Sequence, residues 1–127
     1  METRSRELQD GQYAPLDSLS PADAETVQKL NAPPYVSAGD AGAIPFMDLA
    51  GRYVQAGSSY SPAVLTGHSA DQIAGALADG NSPTAKAIDG TANVWTAAIC
   101  DVTGGKPGNV CQSAAVTAVR GKVTGAH

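Results

Sequence analysis

The chain has 127 residues, a formal net charge of −4 and 43% hydrophobic residues, of which few are aromatic. The length fits one domain or part of one. The negative charge, with no cluster of Lys or Arg, excludes a nucleic-acid-binding protein. The sequence contains no apolar run long enough to span a membrane, and its polar start lacks the apolar core of an export signal, so the chain as written is expected to be cytoplasmic.

The first part of the chain predicts one helix between two irregular segments. Residues 1–12 are polar and mixed in charge, and we expect them to form a flexible N-terminal segment unless one edge of the hairpin recruits them as a strand. Ser20 and Pro21 are typical of a helix start, and the helix should run to about Leu30. Asn31 and the pair Pro33-Pro34 end it, and a loop should follow to residue 41.

Residues 42–57 form the stretch whose pattern indicates paired strands. Phe46, Asp48 and Ala50 alternate with Met47 and Leu49, Gly51-Arg52 permits a tight reversal, and Tyr53-Val54-Gln55 has the character of a returning strand. Pro45 cannot donate to a strand ladder, so it should stand at the first position of the leading strand. We predict a β-hairpin here.

Helices are predicted after the hairpin. Short ones should begin at Ser61-Pro62 and at the Ser69 capping box with Gln72, and the longest should run from Pro83 to about Thr103. That long helix has an apolar stripe in which Gly90 should mark the close approach of another element; the stripe comprises Ala85, Ile88, Ala92, Trp95, Ile99 and Val102.

The end of the chain is rich in small residues. A glycine turn over residues 104–108 should precede a last helix over 113–119, and residues 121–127 are expected to be a disordered tail. The predicted fold class is therefore α+β, with a β-hairpin packed by several short helices and one long helix.

Several short motifs in order resemble one family over about residues 13–112. These motifs are Tyr13-Ala14-Pro15-Leu16, Ala43-Ile44-Pro45-Phe46-Met47-Asp48, Gly57-Ser58-Ser59-Tyr60-Ser61-Pro62 and Ala97-Ala98-Ile99-Cys100. They resemble the carboxyl-terminal half of a thioredoxin-like domain of unknown function from actinobacteria and crenarchaea. The resemblance implies a partial thioredoxin-like domain over residues 13–120.

The chain departs from that family where its chemistry resides. The family's preceding half carries a Cys-x-x-Cys, usually behind a membrane anchor or signal, which implies extracytoplasmic thiol–disulfide chemistry. This sequence contains no Cys-x-x-Cys. It is then either a piece of a longer protein or a product that has lost redox chemistry, and it would be extracytoplasmic if it belongs to such a precursor.

The resemblance assigns Ile44 and Pro45 to a substrate-binding role. Thioredoxin-like sites place a cis-proline beside the cysteine pair, and the residue before it pairs with extended substrate. By resemblance Ile44-Pro45 occupies that position and its peptide bond should be cis, although most X-Pro bonds are trans.

Cys100 and Cys111 flank the glycine turn, and a helix end followed by a reversal can bring them within disulfide distance. Two reduced thiols and a redox-active pair are the alternatives. The family carries Cys at both matching positions, so the resemblance implies a structural disulfide.

Three other residues have simpler interpretations. His68 is expected to be a solvated loop residue because no metal-ligand spacing includes it, and Trp95 should be a core residue. Asp48 is either a half-exposed strand residue or, if buried, a proton-transfer group. No catalytic residue, metal site or cofactor is predicted.

Two functional hypotheses follow. In the first, the chain is the non-catalytic portion of a thioredoxin-like oxidoreductase. In the second, it is a stand-alone module that binds a peptide or protein by strand addition to the hairpin edge. The expected partners are a thioredoxin half supplied elsewhere, an extended peptide, or a second copy that pairs with the exposed hairpin.

Overall fold

The computed structural model describes residues 5–7, 13–15 and 17–123, and in them the fold is α+β. The described residues form two compact units. One unit comprises the residues up to Asp48 together with Val54–Gly57, and the other comprises Leu49–Tyr53 and the residues from Ser58 onward.

The first unit begins with a pair of three-residue strands. β1 (Ser5–Glu7) and β2 (Tyr13–Pro15) are antiparallel, with Ser5 opposite Pro15. This pair was not predicted from the sequence, because three residues are too few for an alternating pattern to be recognised. The expected flexible segment, residues 1–12, otherwise lies outside the described residues.

Helix α1 (Pro21–Leu30) has the predicted bounds. The Ser20 hydroxyl accepts a hydrogen bond from the Asp23 N–H at 3.2 Å and donates to the Asp23 carboxylate at 2.8 Å. These two bonds satisfy a free N–H at the helix start and place a negative charge at the positive end of the helix dipole. The helix ends at the buried residue Asn31.

The predicted hairpin is confirmed as β3 (Phe46–Leu49) and β4 (Tyr53–Ala56), but the turn lies one residue earlier than expected. Ala50 and Gly51 are its central residues, with φ values of 56° and 66°. The Arg52 N–H donates to the Leu49 carbonyl at 3.1 Å across them. A turn with two positive φ values matches the twist of a hairpin, and here Ala50 accepts a conformation that normally favours Gly or Asn.

The second unit is helical apart from the tip of the hairpin. A 3₁₀ helix (Pro62–Leu65) and α2 (Ala70–Leu77) precede the 20-residue helix α3 (Pro83–Val102). Both bonds of the predicted capping box are present, at 2.8 Å and 3.2 Å between Ser69 and Gln72. The predicted helix starts are therefore confirmed, because each serine supplies the side-chain acceptor that its helix needs.

The buried face of α3 differs from the predicted stripe. Of the stripe residues Ala85 is buried, whereas Ile99 is 46% exposed and Ala92 is also exposed. The helix contacts α2 along one part and α5 along another, and in its carboxyl-terminal half it buries the small residues Ala97 and Cys100. One continuous apolar stripe was the wrong expectation because the packing partner changes along the helix.

Gly90 is also a correction. A Cβ atom built at this position would meet no atom within 4 Å, so no element of the described structure approaches it closely. The prediction that Gly90 makes room for a neighbour is therefore wrong.

The chain ends in short helices around a small core. α4 (Gly108–Cys111) was not predicted, because the sequence reads as a turn there, whereas α5 (Ala114–Val119) was; a 3₁₀ helix (Arg120–Lys122) follows. The core cluster comprises Ala97, Cys100, Cys111 and Val116, with Val119 and Val123 packed against it. Within the described residues, no helix is both long and apolar enough to span a membrane. The disordered tail was expected over residues 121–127, but residues 121 and 122 belong to the 3₁₀ helix Arg120–Lys122 and Val123 packs against the core. Residues from 124 onward lie outside the described residues.

Candidate functional site

The exposed edge of strand β3 follows from two hydrogen bonds that join it to β4. The Pro45 carbonyl accepts from the Gly57 N–H at 2.8 Å, and the Leu49 carbonyl accepts from the Arg52 N–H at 3.1 Å. Successive residues of a strand direct their main-chain groups to opposite edges. Pro45 and Leu49 therefore face β4, and Phe46 directs its main-chain groups away from it, while Ile44 immediately precedes the strand.

We define the β3 edge as the main-chain groups of Ile44 and Phe46 with the exposed side chains of Ile44 and Met47. Ile44 has 84% of its surface exposed, and Met47 has 44%. The N–H and C=O groups of Ile44 make no hydrogen bond within the part of the chain that the structure describes. The edge thus presents hydrogen-bonding groups beside two apolar side chains.

Asn31 fixes the main chain immediately before this edge. Its Nδ2 donates to the Ala43 carbonyl at 3.1 Å, and its own carbonyl accepts from the Gly42 N–H at 3.1 Å. Asn31 is 6% exposed, so these bonds are largely shielded from water. From the sequence Asn31 was predicted only to end helix α1. Its second role depends on a hydrogen bond to a residue twelve positions away, which no local pattern shows.

The predicted binding residues Ile44 and Pro45 both lie at the start of the β3 edge. Their peptide bond is cis, as the resemblance implied; Pro33-Pro34 and Lys106-Pro107 are also cis. The cysteines belong to the core of the second unit, so they are not part of the β3 edge.

Cys100 and Cys111 form the predicted disulfide bond, with an S–S distance of 2.00 Å. The two residues are 3% and 0% exposed. The chain has only these two cysteines, so no thiol is free. Because attack by a thiolate requires access to a sulfur atom, the burial of both residues disfavours disulfide exchange.

At the tip of the hairpin, one carboxylate binds two neighbouring side chains. Asp101 Oδ2 lies 2.9 Å from Arg52 Nη2 and accepts a hydrogen bond from the Tyr53 hydroxyl at 2.7 Å. That hydrogen bond, with smaller contributions from burial and from the negative charge of Asp101, raises the pKa of Tyr53 above its ordinary value of 10.0, while Arg52 opposes the shift. The cluster anchors the hairpin tip to α3 within the second unit.

His68 and Asp48 have the simpler of the roles that were expected for them, and Trp95 fits its expected role in part. His68 is exposed in a loop, and Asp48 is exposed on β3, which removes the reason to treat it as a proton-transfer group. Trp95 is half-buried, so it is only partly the core residue that the stripe predicted. Within the described residues, no group of three or more His, Cys, Asp or Glu side chains could hold a metal ion.

Comparison with known proteins identifies a family but no characterised relative. No curated protein and no solved structure matches the chain. A family model, the domain of unknown function DUF929, matches residues 19–101. The match includes α1, the hairpin, α2 and most of α3. The chain therefore belongs to the DUF929 family.

Proposed function

We propose that this chain binds an extended polypeptide along the β3 edge, as the non-catalytic portion of a thioredoxin-like protein related to thiol–disulfide oxidoreductases. The observation that carries the proposal is the exposure of Ile44 together with its N–H and C=O groups, which make no hydrogen bond to any residue that the structure describes. Strand addition uses such groups for affinity and the neighbouring side chains for selectivity.

The β3 edge can supply both contributions. Antiparallel or parallel pairing with Ile44 and Phe46 uses main-chain groups two residues apart, which is the repeat of a strand. Each such bond contributes about 0.5–1.5 kcal/mol net, so a few of them give weak binding unless apolar contacts add to them. Ile44 and Met47 offer those contacts, because both side chains are exposed.

The absence of redox chemistry from this chain is part of the proposal. Both cysteines are buried and joined, and the sequence has no third cysteine. A Cys-x-x-Cys motif would therefore have to be supplied by polypeptide outside this sequence. We expect the isolated chain to show no insulin reduction above the dithiothreitol blank. Turnover above that blank that disappears in Cys100→Ser would contradict this part of the proposal.

The proposed location is extracytoplasmic. The disulfide supports it, because such bonds persist in oxidising compartments and are rare in a reducing cytoplasm. The thioredoxin-like relationship is supported by the order of elements, in which the hairpin of β3 and β4 precedes the long helix α3. The proposal therefore places a thioredoxin half with the redox cysteines beside this chain in the same compartment.

The alternative is a stand-alone binding module. It uses the same β3 edge, because the exposed groups of Ile44 and Phe46 do not depend on a redox partner. The genomic sequence immediately upstream separates the two: an in-frame Cys-x-x-Cys supports the oxidoreductase-related protein, and its absence supports the module.

Peptide binding is testable by fluorescence anisotropy with a labelled ten-residue peptide of alternating valine and threonine, blocked at both ends. We expect binding to the native chain and a loss of at least about fivefold in affinity for Ile44→Lys, because a charge replaces the apolar contact. The matched control is Ile99→Lys, since Ile99 is also an exposed isoleucine but lies on α3. Equal losses in the two variants would contradict binding at the β3 edge.

A further inference from the structure

We propose that the second unit contains a separate binding site for an organic monocarboxylate, the ligand's carboxylate being held by Arg120. The site is a cleft of about 450 Å³, here called the Arg120 cleft, and its lining includes Tyr53, Ala97, Asp101, Arg120 and Val123. This volume lies within the range of small-molecule sites in proteins. The proposal is independent of peptide binding, because none of these residues belongs to the β3 edge.

Arg120 is the positive charge of the cleft that lacks a negative partner. Among the described residues, Asp101 is paired with Arg52, and Arg120 has no carboxylate partner. The side-chain hydrogen bond of Arg120 in the described residues runs from Nη2 to the Cys111 carbonyl at 2.6 Å. A guanidinium has five N–H groups, so donors remain for a planar carboxylate.

The bond to Cys111 also holds Arg120 in place. Cys111 is fully buried and covalently fixed by the disulfide, so its carbonyl is a rigid anchor for the guanidinium. A side chain that is ordered before the ligand arrives loses less conformational entropy on binding. The disulfide thereby contributes to the shape of the cleft, which Cys100 also lines.

The charge of this part of the sequence favours an anion. Residues 102–127 contain three basic residues, Lys106, Arg120 and Lys122, and no Asp or Glu, although the whole chain has a net charge of −4. A local excess of positive charge of this kind attracts anions in an otherwise acidic protein. This local excess of positive charge was not predicted, because only the total charge of the chain was considered.

The other walls restrict the kind of anion. Asp101 is already paired with Arg52, and a second negative charge on the ligand would be repelled by its carboxylate. Ala97 and Val123 provide apolar surface, and Tyr53 adds an aromatic ring. A single carboxylate attached to an apolar body therefore fits better than a phosphate dianion or an inorganic ion. The carboxylate could belong to a free acid or to the carboxyl terminus of a polypeptide.

The test is a titration of the ¹⁵N-labelled full chain with 4-phenylbutyrate and with its neutral amide. We expect the acid to bind at least about tenfold more tightly than the amide, because charge-assisted hydrogen bonds are the stronger kind. The amide signals of Gly104 and Gly105, which also line the cleft, should shift on binding. In a second arm, an acetylated tripeptide with a free carboxyl terminus is compared with its amidated form. Tighter binding of the free-carboxyl tripeptide than of 4-phenylbutyrate indicates a polypeptide end, and the reverse order indicates a free acid.

Two variants locate the effect. Arg120→Gln should remove the preference for the acid, whereas Lys122→Gln should keep it, since Lys122 lies on the same 3₁₀ helix but does not line the cleft. If Arg120→Gln fails to fold, the comparison of acid and amide on the native chain decides. Equal affinity for acid and amide, unshifted Gly104 and Gly105 signals, or equal losses in the two variants would overturn the proposal.

Discussion

Asp101 shows how one exposed side chain can hold two elements of the second unit together. Its carboxylate contacts Arg52 and Tyr53, which lie at the hairpin tip, while Asp101 itself lies on α3. The side chains of Arg52 and Asp101 are each 48% exposed, and an ion pair of this exposure contributes about 0–1 kcal/mol. The larger consequence is positional, because the cluster fixes where the hairpin tip meets the helix.

The raised pKa of Tyr53 is a direct test of this cluster. We expect Asp101→Asn to lower the pKa of Tyr53 towards 10.0, because an amide oxygen accepts the Tyr53 hydrogen bond less strongly than a carboxylate does and also lacks the negative charge that disfavours tyrosinate. Absorbance at the tyrosinate band, recorded against pH, measures the shift, and Tyr53→Phe identifies which of the four tyrosines is responsible. An unchanged titration in Asp101→Asn would contradict the hydrogen bond.

The same shift sets a pH dependence of stability. A tyrosine with a raised pKa in the folded state binds its proton more tightly there than in the unfolded chain, so its contribution is complete below pH 10.0. The contribution is lost as the pH rises through the folded pKa. The free energy of unfolding, measured with denaturant at pH values below and above the folded pKa, should decline with rising pH. The decline should be smaller in Tyr53→Phe.

Among the secondary-structure elements, helix α3 contains a glycine whose lack of a side chain is not required by packing. Gly90 lies inside the helix, and an added Cβ would meet nothing within 4 Å. Gly90→Ala should therefore increase the free energy of unfolding by about 0.5–1 kcal/mol, the difference in helix propensity. Urea unfolding measures the change.

Gly104→Ala is the contrasting control for that prediction. Gly104 has a φ of 63°, which an alanine adopts only with strain, so this variant should be less stable than the native chain. A destabilised Gly90→Ala variant would indicate that α3 has a close neighbour at that position after all.

The Cys100–Cys111 disulfide joins the end of α3 to α4. The two residues are 11 positions apart, and closing so short a loop stabilises the folded chain by about 3 kcal/mol in the chain-entropy model. The double variant Cys100→Ala, Cys111→Ala should lose about that amount in urea unfolding, and a non-reduced digest of the native chain should contain the two peptides joined. Two freely alkylated thiols in oxidised protein would contradict the bond.

Structural features that depend on residues close together in the sequence were predictable, and features that depend on distant contacts were not. The starts of α1, α2 and α3 were predictable because Ser20, Ser69 and Ser82 cap helices through bonds within three residues. The hairpin was predictable from alternation, but its turn was displaced by one residue because Ala50 adopts a positive φ. The exposed face at Ile99 was not predictable, since it depends on which helix packs against α3.

The candidate sites likewise contain some residues that the sequence could identify and others that depend on distant contacts. Ile44 and Pro45 could be identified from the resemblance of their surrounding motif, whereas the role of Asn31 depends on a hydrogen bond across a loop of twelve residues. The Arg120 cleft joins residues from the hairpin tip, α3 and the last 3₁₀ helix, and no contiguous motif brings them together. Only the lack of acidic residues after Asp101 was visible in the sequence.

At the scale of the whole molecule, the β3 edge should also promote self-association. An exposed strand edge with apolar side chains can pair with a second copy of itself, and each Å² of apolar surface that is buried contributes about 25 cal/mol. We expect a dimer in light scattering across a concentration series. Met47→Lys should dissociate it, because Met47 is an exposed apolar side chain of β3 and strand edges are protected by lysine. A monomer at every concentration would contradict this prediction.

The central claim is that polypeptide pairs with the main chain of Ile44 and Phe46, and amide chemical shifts of the ¹⁵N-labelled chain test it most directly. The blocked valine–threonine peptide should shift the Ile44 and Phe46 amide signals, since their N–H groups gain acceptors. As a control, the same peptide is N-methylated at alternate residues, on the edge that would pair with β3. It should shift the Ile44 and Phe46 signals much less, because N-methylation removes the peptide N–H donors that strand pairing requires. If both peptides shift these signals equally, or neither shifts them, strand addition at the β3 edge is contradicted.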